Sequence, residues 1–175
     1  MLISLSEIMS VKGKVLHITV PIEMEYFKLD GAEYSFAKKN PIDLKISCEG
    51  ERMISLECST EISLMLPCSR CLEEVETKFD IHVSKNLDFH ETEKDRIEEL
   101  DETNYVIGYD LDTELLLYNE ILIQFPLKVL CSEDCKGICF VCGTNLNKEN
   151  CQCDKAVGDP RMSAFQDVFK NFKEV

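Results

Sequence analysis

Eight of the ten cysteines in this 175-residue chain fall into four close pairs, and no other feature of the sequence limits its fold so much. The pairs are Cys68-x2-Cys71, Cys131-x3-Cys135, Cys139-x2-Cys142 and Cys151-x-Cys153. The last three lie in CSEDCKGICFVCGTNLNKENCQCD, a stretch too rich in Gly, Asn and charge to build a core of its own. Such a stretch needs a staple. Two thiolates three residues apart can grip one metal ion from a tight turn. Gly143, directly after Cys142, lets the backbone bend so that amides approach the sulfurs. Cys139, Cys142, Cys151 and Cys153 therefore form a set of four soft ligands with no position left open. That set predicts a closed, tetrahedral, structural zinc site.

Cys68, Cys71, Cys131 and Cys135 remain, and neither pair completes a site alone. Together they predict a second four-sulfur zinc site. An alternative sharing joins Cys131 and Cys135 to Cys139 and Cys142 and leaves Cys151 and Cys153 over. A redox role for Cys68 and Cys71 is a third reading. Dithiols of that type sit where a strand enters a helix, whereas β-like sequence flanks this pair on both sides. Arg70, inside the motif, either neutralises the thiolates or faces solvent.

Cysteine usage also bears on compartment. The start, MLISLSEIMSVKG, lacks the basic flank and unbroken apolar run of a secretory signal. No stretch approaches the ~20 apolar residues of a membrane span. The expectation is a cytoplasmic protein without a membrane role, in which thiols stay reduced and bind metal rather than form disulfides.

The net charge of −14 is unevenly spread. Residues 126–175 carry seven basic and seven acidic side chains, so the first 125 residues, with 12 and 26, hold the whole excess. An acidic body repels phosphate backbones and lacks the basic stripe of a nucleic-acid binder. It is suited to attract a basic protein.

Along the chain, Ser4 and Glu7 fit a capping box on a short N-terminal helix, LSEIM. A long β-like region follows. KVLHITV alternates, Asp30-Gly31 marks a hairpin between EYFKL and EYSFA, and PIDLKISCEG, RMISLECSTEISLMLPC and EVETKFDIHVSKNLDF keep a period of two. Cys48 and Cys58, alone within two of these strands, read as small hydrophobes. Residues 88–104, with eight acidic side chains against Lys94 and Arg96, read as a solvated loop. After the run NYVIGYDL, DTELLLYNEILIQF has helical spacing, with Asp112 as cap, Pro126 as stop and Glu120 as an exposed or half-buried acid. Asp159 and Pro160 open a last helix with an apolar stripe of Met162, Phe165, Val168, Phe169 and Phe172.

These readings predict an α+β protein: a mostly antiparallel β body with a few flanking helices and a C-terminal cysteine-rich zinc-binding segment. Residues 1–125 form the body, with its acidic loop and long helix; residues 126–175 form the zinc-binding segment and a helix packed on the body. His17, His82 and His90 are scattered, and there is no Ser/His/Asp arrangement, phosphate-binding glycine loop or paired carboxylate site. No enzyme is expected and no small-molecule substrate is identified.

LPCSRCLEE after a β region, the acidic stretch, YNEILIQFP, LCSEDCKGICFVCGTNLN with CQCD, and a terminal DPR helix together resemble the YceD family over essentially the whole chain. The resemblance implies a non-enzymatic accessory factor for large-subunit ribosomal RNA accumulation and ribosome biogenesis. It implies a basic ribosomal protein, precursor large-subunit rRNA or both as partners. It matches the family's Cys-x-Arg-Cys element at Cys68, Arg70 and Cys71, and its later cysteine at Cys135. It implies that the run from Cys139 to Cys153 is a local reinforcement. Two other functions fit the same cysteines: a redox-responsive zinc switch and a thiol oxidoreductase.

Overall fold

The computed structural model describes residues 1–50, 52–89 and 104–153. Most of the acidic stretch, with His90, and the helix expected after Asp159 lie outside these described residues. Two compact units form: one of Met1–Pro67 with Glu74–Val129, the other of Cys68–Glu73 with the described part of Leu130–Val175.

The first unit is mostly antiparallel sheet. Its strands are β1 (Leu2–Ser4), β2 (Val15–Val20), β3 (Tyr26–Leu29), β4 (Ala32–Lys39), β5 (Ile42–Gly50), β6 (Met53–Pro67), β7 (Glu74–Asp88), β8 (Val106–Ile107) and β9 (Asp110–Asp112). Its helices are α1 (Ser6–Met9) and α2 (Thr113–Gln124). The 15-residue β6 organises the larger sheet. On one side β7 pairs with it along its whole length, from Met53 opposite Asp88 to Pro67 opposite Glu74. On the other side β5 takes the first half and β4 the second, extended by β2 and β3 respectively. β1, β9 and β8 make a small second sheet.

The period of two in the sequence becomes the two faces of this sheet. In β5, Ile42, Leu44, Ile46 and Cys48 are buried while Asp43 and Lys45 are exposed. In β6 and β7 the buried row continues through Ile54, Leu56, Cys58, Ile62 and Leu64 to Phe79, Ile81 and Val83. Cys48 and Cys58 thus occupy core positions, and burial pushes the Cys58 thiol up to about 11, helped by the charges of Glu120 and Asp43. Helix α2 adds Leu116, Leu117 and Ile121 to the same core. An aromatic cluster fills one end: Phe27 lies 5.1 Å from Tyr118 and 5.8 Å from Phe125, centroid to centroid.

The expected turns and caps follow from local chemistry. Asp30 and Gly31 both take positive φ, which joins β3 to β4 in a tight turn. The Asp112 carboxylate accepts the amides of Glu114 and Leu115 at the start of α2. Glu120, on α2, is buried, with Lys85 Nζ 3.3 Å from its carboxylate. The capping box does not form. Ser4 ends β1, paired with Asp110, and Leu5 is the N-cap of α1 with no side-chain cap bond. Strand pairing sets the Ser4 backbone before the helix starts, and its hydroxyl meets that of Ser6 at 2.8 Å instead.

Candidate metal centre

Two short loops of the second unit repeat the same hydrogen bonds. In the first, the Cys68 amide donates to Glu73 O at 2.8 Å and the Leu72 amide to Cys68 O at 2.9 Å. In the second, the Cys139 amide donates to Thr144 O at 2.9 Å and the Gly143 amide to Cys139 O at 2.8 Å. Each loop therefore closes on its leading cysteine and turns sharply after its second one. The turn residue has positive φ in both: 62° at Leu72 and 75° at Gly143. Glycine adopts this conformation freely; leucine does so at a cost.

Closing the loops aims amides at sulfur. Burial works to raise the Cys68 thiol, but the amides of Arg70, Cys71 and Cys131 donate to it and hold it at about 6. Cys139 is lowered by the amides of Cys142 and Val141. The hydroxyl and amide of Thr144 bring Cys142 down to about 6, the hydroxyl lying 3.1 Å from the sulfur. Cys135 is lowered chiefly by the Asn147 side-chain amide, which donates to its sulfur at 3.2 Å.

The structure gathers the eight paired cysteines into two sets of four. The sulfurs of Cys68, Cys71, Cys131 and Cys135 all lie within 4.8 Å of one another, and so do those of Cys139, Cys142, Cys151 and Cys153. The alternative sharing, with Cys131 and Cys135 against Cys139 and Cys142, does not occur. In the first set Cys71 is 3.5 Å from Cys131, and Cys68 is 3.8 Å from Cys135. Four sulfurs at ~2.3 Å around a tetrahedral ion sit ~3.8 Å apart, so the spacing fits zinc or another ion of that preference. Cys68, Cys71, Cys135 and Cys139 are buried, Cys151 and Cys153 half-buried, and Cys131 and Cys142 exposed.

Protonation within each set is uneven for a plain reason: four neighbouring thiols cannot all ionise together without a cation. While Cys68 and Cys135 are lowered, Cys131 is raised, mainly by Cys135. Cys71 is pushed up to about 12, because burial and the other three thiols outweigh the amide of Glu73. Cys153 is likewise pushed up to about 12 by Cys142 while Cys142 falls. A divalent ion would remove this repulsion and displace the remaining protons, so binding strengthens as pH rises.

Arg70 is exposed, one of the two alternatives, and it also bonds backbone. Its guanidinium donates to Cys135 O at 2.8 Å and Glu133 O at 3.3 Å, clamping the Cys131–Cys135 loop by its backbone. Sequence reasoning missed Asn147 and Thr144, which touch sulfur although neither is a metal ligand. Their only signal is position, Thr144 two residues after Cys142 and Asn147 in a Gly/Asn-rich turn. Lys148 pairs with Glu73. His17 and His82 lie on the exposed face of the large sheet, where they line a 310 Å³ depression with Asp43, Lys45 and Glu57. No helix among the described residues is long and apolar enough to cross a membrane.

The family model described as large ribosomal RNA subunit accumulation protein YceD matches residues 56–169. The uncharacterised protein YlbN of Bacillus subtilis is 29% identical over 124 residues, which cover 70% of each chain. The uncharacterised Rv2926c of Mycobacterium tuberculosis is 27% identical over 82 residues, 47% of this chain and 40% of that one. The chain thus spans less than half of that mycobacterial relative. A chloroplastic protein of Arabidopsis thaliana, named large ribosomal RNA subunit accumulation protein YCED homolog 1, is 30% identical over 50 residues, 29% of this chain and 16% of that one. No solved structure gives a significant match.

Proposed function

The chain belongs to the YceD family, and from that membership we propose that it is a non-enzymatic, cytoplasmic accessory factor for large-subunit ribosomal RNA accumulation during ribosome biogenesis. Two zinc ions hold its second unit together, one on Cys68, Cys71, Cys131 and Cys135, the other on Cys139, Cys142, Cys151 and Cys153. The observation that carries the reading is the gathering of eight thiols into two closed sets of four within the span that matches the family. Four-thiolate sites leave no position for a substrate or water, so the metal's chemistry here is structural. It fixes loop geometry and neutralises sulfur charge.

The division of charge supports the choice of partner. The first 125 residues carry 26 acidic against 12 basic side chains. Such a surface steers toward cations and away from naked phosphate. The protein therefore acts chiefly through a basic ribosomal protein of the large subunit, with precursor rRNA contacted through that protein or locally. The test is titration of the zinc-loaded chain against purified large-subunit ribosomal proteins and a precursor rRNA transcript, at low and at physiological salt. A complex that weakens as salt rises is expected. Failure to bind any of these at low salt would end the proposal.

A further inference from the structure

The second unit buries Cys68, Cys71, Cys135 and Cys139 while it leaves large apolar side chains exposed. Phe140 and Val141, the two residues between Cys139 and Cys142, are 71% and 54% exposed. Ile138, just before them, is 39% exposed, and its amide donates to Arg70 O at 3.1 Å, so it runs beside the first loop. Leu72, at the turn of that first loop, is 65% exposed.

Leu72 is the telling residue. The equivalent turn in the second loop uses Gly143, so the hydrogen-bonded loop requires no side chain at this point. A leucine with positive φ strains the backbone, and one so exposed regains little by packing within the chain. Strain retained without internal return points to an external contact. Exposed apolar groups grouped on one small unit mark interaction surfaces, and an aromatic among them is the usual anchor.

Charge decides what fits. The described residues of this unit carry Arg70, Lys136 and Lys148 against Glu73, Glu133, Asp134 and Glu149. Arg70 is turned onto backbone carbonyls and Lys148 onto Glu73. Each four-thiolate site with a divalent ion adds two further negative charges. Exposed apolar side chains in an anionic surround suit a basic polypeptide with an apolar anchor and disfavour a phosphate backbone.

We propose that Leu72, Ile138, Phe140 and Val141, displayed by the two cysteine loops, form the docking surface for an apolar side chain on a basic protein segment. This rests on the function proposed above and adds the surface through which the partner is held. The test uses the full zinc-loaded chain and two variants, Phe140→Ser with Val141→Ser, and Leu72→Gly. Each is titrated singly against purified basic large-subunit ribosomal proteins and against a large-subunit rRNA transcript, with zinc content and sedimentation measured in parallel.

The expected result is about a tenfold loss of affinity for the tightest protein ligand in the double variant and about a threefold loss for Leu72→Gly, with zinc content unchanged. Wild-type affinity in both variants would overturn the surface while leaving the proposed function standing. A loss confined to the transcript would replace the protein partner by RNA, and a loss of self-association would replace it by a second copy; either overturns the proposal. No binding of the wild type to any protein or to the transcript would remove both the surface and the function it rests on.

Discussion

The two units are held by different physics. The first has a continuous core of Ile, Leu, Val, Phe and Tyr across the sheet and α2. Among the described residues, none of the second unit belongs to that core, and its buried apolar positions are cysteines: Cys68, Cys71, Cys135 and Cys139. One unit is stabilised by apolar area removed from water. The other has amide–sulfur hydrogen bonds and, on the function proposed above, metal–sulfur bonds in place of that term. The difference teaches that one chain can run two independent stability mechanisms, and perturbations should separate them.

Metal removal is the largest of these perturbations. Binding free energies of structural zinc in small domains run to about 10–16 kcal/mol, and the proposed sites predict that most of the second unit's order depends on that term. Chelation of the folded protein should abolish hydrogen-exchange protection at Cys68, Leu72, Cys139 and Gly143, whose amides close the two loops. Protection in β5, β6 and β7 should persist. A global unfolding transition on chelation would show that the units are not independent.

Substituting one cysteine pair sharpens the same division. Elemental analysis under reducing conditions should give two zincs per chain. Cys68→Ser with Cys71→Ser should leave one, and so should Cys139→Ser with Cys142→Ser. One zinc in the wild type, unchanged by the first pair of substitutions, would confine metal to the later cluster and leave Cys68 and Cys71 unexplained.

Much of the fold is legible in the sequence, for unequal reasons. Strand positions follow from alternation that depends only on which residues avoid water, so β5, β6 and β7 emerge directly from Ile42 to Leu87. The cap of α2 at Asp112 is equally local. The sharing of sulfurs is legible only as one of two alternatives. Cys68 and Cys135 are 67 residues apart, and only the folded chain brings their sulfurs to 3.8 Å. The failed capping box has a similar cause, since the partner that claims Ser4 is Asp110, far along the chain. Leu72 escapes sequence reading altogether. Nothing in LPCSRCLEE announces a positive φ at a leucine, because glycine is the residue that normally signals one.

Truncation of the body's aromatic cluster tests the comparison from the other side. Phe27 is fully buried among Tyr34, Tyr118 and Phe125. Phe27→Ala should cost about 3–5 kcal/mol in denaturant unfolding followed by a signal from the sheet, with both zincs retained. Loss of zinc alongside loss of stability would couple the units. A smaller effect, confined to the second unit, is expected from Asn147→Ala, which removes the donor to Cys135 Sγ. Hydrogen-bonding partners of metal ligands are typically worth about 10- to 100-fold in metal affinity. Competition with a chromogenic chelator should show about a tenfold weaker first site, and an unchanged affinity would reduce that bond to an incidental contact.

Leu72→Gly has the smallest effect and the most informative sign. Leucine with positive φ costs about 1 kcal/mol more than glycine there, and its side chain is mostly solvated, so little packing is lost. Glycine also widens the unfolded ensemble, which offsets part of the gain. Relief of strain should nevertheless dominate, because the turn then matches that of Gly143. Metal retention against the chelator should improve, by at most about fivefold. A leucine kept for packing predicts the opposite, a weaker site. Improved metal retention together with weaker partner binding would show that the first loop carries a strained leucine for the contact it makes outside the chain, a trade the hydrophobic body has no need to make.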